Sequence, residues 1–184
     1  YWSLARGTVE PRSLLESLRR VLNMRPDLWE AHSVVSGQHL LLRQYRPALE
    51  VAHAAVKRFP LVPRLWMDLA AVHRVQEQEA EELAALGKAM EVAPGSWDVI
   101  RMVIAVHERR NDLAAMERES QRGIECEPLQ GEAYASLAQV RLQQGRLDEV
   151  PGLLERALRL APRTGWIWSL LGLWGERSGQ CDRA

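Results

Sequence analysis

The sequence predicts an all-α solenoid, a stack of similar helix pairs, on three observations. Pro26, Pro60, Pro94, Pro128 and Pro162 lie 34 residues apart without one insertion. A fixed period of this length marks one supersecondary unit stacked on copies of itself. Other residues keep the same beat, with apolar and small side chains at helical spacing. The composition also favours helix. Ala, Leu, Glu, Gln and Arg dominate the 184 residues, 47% are apolar, only one is Phe, and no strand-like alternation occurs.

Each proline lacks an N–H and pushes the residue before it out of helix, so it ends one helix and opens a turn at the same point in every unit. Counting starts three residues later, at Trp29, Pro63, Trp97, Gly131 and Gly165. This divides the chain, read as a single domain over 1–184, into a partial unit 1–26, repeats 29–62, 63–96, 97–130 and 131–164, and a partial unit 165–184. Position four holds His32, Trp66, Ile100, Tyr134 and Trp168; position seven holds Val35, Leu69, Val103, Leu137 and Leu171; position eight holds Ser36, Ala70, Ile104, Ala138 and Gly172. These positions share one face of a first helix. A large residue at four and a small one at eight let a second helix approach closely. A turn follows, Asn111-Asp112 in one repeat and Gly145-Arg146 in another, whereas repeat 63–96 offers only Gln76-Glu77-Gln78-Glu79. The second helix is clearest at Ala48, Ala52 and Ala55, and its first small position becomes Glu82, Met116 and Val150 in the next three repeats. About ten helices are expected, with the five prolines just past the second helices.

These residues resemble the tetratricopeptide repeat, whose pattern runs from an aromatic through Leu-Gly, Tyr and a turn Gly to two alanines around a bulky residue and a closing Pro. Tyr134, Leu137, Ala138, Gly145, Leu154, Ala157 and Pro162 follow it, as do Trp66, Leu69, Ala70, Ala89 and Pro94. The resemblance covers about residues 11 to 179. The chain departs from it at position eleven, usually Tyr, which is His39, His73, His107, Arg141 and Gly175, and at Ile104, where a small residue is usual. The resemblance implies a right-handed α-solenoid of four full repeats with a partial repeat at each end. It also implies a concave groove lined by the first helices.

In that family the groove positions are mainly the second, fifth, ninth and twelfth. Here they are Glu30, Ser33, Gly37 and Leu40; Arg64, Met67, Ala71 and Arg74; Asp98, Arg101, Ala105 and Glu108; Glu132, Ala135, Gln139 and Leu142; and Trp166, Ser169, Leu173 and Glu176. The small Gly37, Ala71, Ala105 and Ala135 leave room for a ligand chain. Arg64, Met67, Ala71, Arg74, Arg101, Ala105 and Gln139 form the expected partner-binding set. Its arginines favour an acidic and apolar partner segment, unless they pair with Asp68 and Asp98 across neighbouring units. The Lys and Asn that clamp a peptide carboxylate in chaperone-binding relatives are absent, and so is the asparagine ladder of relatives joined to an O-GlcNAc transferase.

The reading is a protein–protein interaction scaffold that takes a partner peptide or helix in its groove. The alternatives are a regulatory or substrate-recruiting arm of a larger enzyme and an oligomerisation module. The chain starts at Tyr1 and stops partway through a unit, which reads as a segment of a longer protein. It has no Gly-rich phosphate loop, H-E-x-x-H, G-x-S-x-G or CxxC pair, so no enzyme activity and no cofactor are expected. Twenty-four basic residues, among which only Lys57 and Lys88 are lysines, balance 24 acidic ones. That balance argues against nonspecific nucleic-acid binding, and no run of about 18 apolar residues is present for membrane insertion. Cys126 and Cys181 fall in non-adjacent units and should form no disulfide. His39, His73 and His107 lie about one helix layer apart, roughly 10 Å, too far to share a metal. Each is expected to donate one hydrogen bond inside a helix pair. Glu81-Glu82 and Glu117/Glu119 read as solvated faces. Residues 165–175 are apolar nearly all round, so Trp166, Trp168 and Trp174 form an expected end-on interface through which the chain could build a homo-oligomer.

Overall fold

A computed structural model describes residues 10–179. Among them are ten α-helices and no strand. They fall into two compact units, divided between Pro94 and Gly95. The first holds α1 (Pro11–Met24), α2 (Trp29–Leu41), α3 (Tyr45–Arg58), α4 (Pro63–Val75) and α5 (Glu79–Val92). Within it α2 packs on α3 and α4 on α5, α3 and α2 both touch α4, and α1 packs on α2. The second holds α6 (Trp97–Arg109), α7 (Leu113–Cys126), α8 (Gly131–Gln143), α9 (Val150–Leu160) and α10 (Gly165–Ser178). There α6 pairs with α7 and α8 with α9, α7 packs on α8, and α10 lies on both α8 and α9.

The prolines act as the period requires. Second helices end at Met24, Arg58, Val92, Cys126 and Leu160, two residues before each proline. The intervening Arg25, Phe59, Ala93, Glu127 and Ala161 have φ between −136 and −128°, the extended backbone that a following proline imposes. Each still donates its N–H to the carbonyl four residues back, so the helix closes without an orphan donor. A further hydrogen bond recurs with the period. The ring nitrogen of Trp66 donates to the Pro60 carbonyl at 2.8 Å, Tyr134 Oη to the Pro128 carbonyl at 3.0 Å, and Trp168 Nε1 to the Pro162 carbonyl at 3.0 Å; His32 Nε2 lies 3.1 Å from the Pro26 carbonyl. Position four therefore ties the start of each first helix back to the proline turn, and Ile100 is the departure.

The turns that follow the first helices share one left-handed residue. Arg43, Glu77, Asn111, Gly145 and Gly179 have φ of 56, 58, 54, 76 and 70°. Left-handed backbone suits Gly and tolerates Asn, but costs roughly 1 kcal/mol for a residue with a longer side chain. Repeat 63–96 thus makes the same turn as its neighbours with Glu77 in the strained place. Glu77→Gly should stabilise the first unit by about 0.5–1 kcal/mol, the relief of strain outweighing the extra freedom of the unfolded chain. A urea midpoint that fails to rise would contradict a strained turn at this position.

The core follows the small and apolar positions of the period. Val35, Ala48, Ala52, Ala55, Leu69, Ala70, Leu86 and Ala89 are buried in the first unit. In the second, one cluster joins Trp97, Ile100, Ile104, Met116, Ala133 and Val140, and another joins Tyr134, Ala138, Leu154, Ala157, Ile167 and Trp174. Gly123 makes room for Trp97: a Cβ there would come within 2.7 Å of the indole ring. Glu82 corrects the expectation of a solvated face, being only 2% exposed. It occupies the position of the buried Ala48, Met116 and Val150, and the register decided its burial over its charge.

Position eleven joins the two helices of a pair through their turn. His39 Nδ1 lies 2.7 Å from Gln44 Oε1 and His73 Nδ1 lies 2.8 Å from Gln78 Oε1, each ring N–H donating to the amide oxygen that opens the next helix. His107 departs from the expected bond. Its Nδ1 is 4.0 Å from Asp112 Oδ2, because Asp112 is shorter than Gln and its other oxygen caps α7 by accepting from the Ala115 N–H at 2.9 Å. Arg141 replaces the bond with ion pairs, 2.7 Å to Glu117 and 2.9 Å to Glu149, and also donates to Gln144 Oε1 at 2.9 Å.

Candidate functional site

First helices that follow one another expose groove positions to a shared cleft, and such a cleft is present in each unit. The first, about 280 Å³, lies between α2 and α4. Glu30, Ser33, Gly37 and Arg64, all groove positions of the sequence reading, line it with Trp29, Val34 and Asp68. Arg64 Nε donates to Asp68 Oδ1 at 2.9 Å. Burial holds the Asp68 carboxyl above the ordinary aspartate range; the Ser33 hydroxyl and the Arg64 guanidinium oppose the shift without cancelling it. Met67 and Ala71 are half-buried on α4, and Arg74 is exposed at the end of the same helix.

The second cleft, about 240 Å³, is walled by α6, α8 and α10. Arg101, Ala105, Glu108, Glu132, Gln139 and Trp166 line it from groove positions, with Trp97, Ile104 and Ser136. Gln139 Nε2 donates to Glu108 Oε1 at 2.7 Å, fastening α8 to α6, and Trp97 Nε1 donates to Glu132 Oε2 at 3.1 Å. Arg101 Nε donates to Asp98 Oδ1 at 3.2 Å.

Arg64 and Arg101 are therefore paired, but not as expected. Arg64–Asp68 and Asp98–Arg101 each close within one helix, at (i, i+4) and (i, i+3) spacing, rather than across neighbouring repeats. Arg64 and Arg74 belong to the first unit and Arg101 to the second. Ala135 and Leu142 also differ from expectation. Both are buried, in the cluster that α10 completes with Ile167, Leu170 and Trp174. Trp174 itself is only 6% exposed, and its Nε1 donates to the Leu147 carbonyl at 2.9 Å. The open aromatic surface of α10 is Trp166, 40% exposed, and Trp168, 52% exposed. Position ten explains Trp174: its counterparts Gln38, Val72, Val106 and Val140 are all buried. Asp68 and Ser136 share position six, which the sequence reading did not include in the groove.

Cys126 is exposed with a free thiol, and Cys181 lies outside the described residues. Among the described residues no group of three or more His, Cys, Asp or Glu side chains is placed to hold a metal, and no helix is long and apolar enough to cross a membrane.

No protein-family model matches the sequence, and no curated protein matches it. The fold matches solved structures over most of their length. MamA is similar with a TM-score of 0.69 and 15% identity, over 89% of this chain and 96% of that one. A thermophilic tetratricopeptide-repeat protein of Thermus thermophilus, TTC0263, gives 0.68 and 21% over 96% of this chain and 94% of its own. YrrB, described as a tetratricopeptide-repeat protein with an unusual peptide-binding site, gives 0.63 and 14% over 92% and 87%. The chain has the tetratricopeptide-repeat fold, an all-α solenoid of helix pairs.

Proposed function

We propose that this tetratricopeptide-repeat chain is a protein-interaction scaffold that binds a peptide or helical segment of a partner against the face built by its first helices. The observation that carries the reading is the cleft in each unit, lined by side chains from successive first helices at the groove positions. Each cleft presents both charged and aromatic groups. The peptide-binding site described for YrrB supports the same use of the fold. The reading assigns no catalysis to the chain.

Filling the clefts tests it. Ser33→Trp in the first unit and Ala105→Trp in the second place a large ring where a ligand chain would run. Each should weaken a bound partner by about tenfold or more through steric exclusion. A partner held with unchanged affinity by both variants, with their helix content intact, would place binding away from the first-helix face.

A second reading, association through α10, is favoured by the exposure of Trp166, Trp168 and Leu173 on one helix. Sedimentation across a concentration series distinguishes it, with Trp168→Ser expected to shift any dimer towards monomer.

A further inference from the structure

The cleft between α6, α8 and α10 has an unbalanced charge. Glu108 and Glu132 face it from adjacent first helices, and each accepts a hydrogen bond from an uncharged donor, Gln139 and the Trp97 indole respectively. Arg101 is the single cation lining it among the described residues, and Asp98 already engages that guanidinium. Two carboxylates are thus left without compensation in a partly enclosed cleft, where a charge is less screened than on an open surface. Trp166 supplies an exposed aromatic wall beside them, a surface suited to a cation or a planar guanidinium. In the α2/α4 cleft Arg64 engages Asp68 within the lining itself, and Glu30 adds a further carboxylate with Trp29 alongside.

We infer that the α6/α8/α10 cleft receives an arginine or lysine side chain of the partner segment, held between Glu108 and Glu132 and packed on Trp166. The inference rests on the proposed use of the first-helix face and adds the chemistry of what binds there. It reverses the acidic partner expected from the sequence if the arginines stayed unpaired, because Asp68 and Asp98 engage Arg64 and Arg101 within their own helices. Arginine suits the site better than lysine, since its planar fork can meet a carboxylate while its face stacks on the indole.

The test begins with a random dodecapeptide library displayed on phage and selected against the whole chain. Enriched peptides are synthesised, and their affinities are measured by fluorescence anisotropy against the native chain, the Glu108→Gln/Glu132→Gln double variant, Ala105→Trp and Ser33→Trp. Glu125→Gln, on the exposed end of α7, is the charge control. The expected result is a fixed Arg or Lys in the enriched peptides. Affinity should fall about tenfold in the double variant and become less sensitive to salt, with no change for the control. Ala105→Trp should remove binding; if it does not fold, Gln139→Trp fills the same cleft. Peptides that Ala105→Trp displaces but that are acidic, or indifferent to the double variant, overturn the basic occupant and leave the groove reading standing. Peptides indifferent to Ala105→Trp but displaced by Ser33→Trp overturn the basic occupant of this cleft alone; peptides indifferent to both variants, or no enrichment at all, overturn both readings.

Discussion

Leu154→Ala is expected to lower the stability of the second unit by about 3 kcal/mol. Leu154 is fully buried on α9, in one cluster with Tyr134, Ala138, Ile167, Leu170 and Trp174 from α8 and α10. The substitution removes the transfer energy of the lost carbons and leaves a cavity. Its small neighbours Ala138 and Ala157 cannot fill that space, and the Tyr134 and Trp174 rings are held by hydrogen bonds to the Pro128 and Leu147 carbonyls. Urea unfolding followed by tryptophan fluorescence should show a lower midpoint. Leu153→Ala, at a half-buried neighbour, should cost clearly less. A loss for Leu154→Ala no larger than that of Leu153→Ala would mean that α10 does not seal this core.

Arg141→Ala is expected to cost about 2 kcal/mol, since it strips a buried cation from two carboxylates. The Arg141 side chain is 10% exposed and bridges Glu117 on α7 to Glu149 before α9. Arg146 also reaches both acids, which limits the loss. Arg141→Met keeps the apolar stem and isolates the charge, so it should fall between native and Ala. The pH dependence has a definite sign. A hydrogen bond from Gln144, and after it one from Arg141, hold the Glu117 carboxyl below its ordinary value. A carboxyl lowered in the folded state contributes stability that is present above the unfolded glutamate range and is lost as pH falls through the lowered folded value. The acid side of the native stability profile should therefore slope downward towards low pH, and Arg141→Ala should flatten it. An unchanged slope would mean that the pairing is not maintained in solution.

The fold was legible because its signal is periodic. Five prolines fixed where second helices end, and the first small position of the second helix marked burial even where it held Glu82. Read residue by residue, Glu82 looked solvated; read by position, it belonged with Ala48 and Met116. Trp174 carries the same lesson, because Val72, Val106 and Val140 at its position are all core residues. The recurring bond from position four to the proline carbonyl was not legible, since a list of His, Trp, Tyr and Trp shows aromatics but not the six-residue reach that their polar atoms share. The left-handed turn was half legible. Gly145 and Asn111 announce it, whereas Arg43 and Glu77 adopt it although their residue types give no such signal.

The candidate site was legible as a set of positions and illegible in its charge. Positions two, five and nine do line clefts, but a residue's neighbours at three and four along the helix decide whether its charge is spent. Arg64 meets Asp68 and Arg101 meets Asp98, while Glu108 and Glu132 keep theirs, so the sign of the second cleft follows from pairings that residue types alone do not reveal. Ala135 shows the other limit. It is small and sits at a groove position, yet α10 covers it.

The central claim is that binding uses the first-helix face of each unit. Amide hydrogen exchange of the whole chain, with and without a saturating selected peptide, tests it most directly. The account predicts added protection in α2 and α4 or in α6 and α8, around the cleft residues, with α3, α5, α7 and α9 unchanged. Protection confined to the second helices would contradict it.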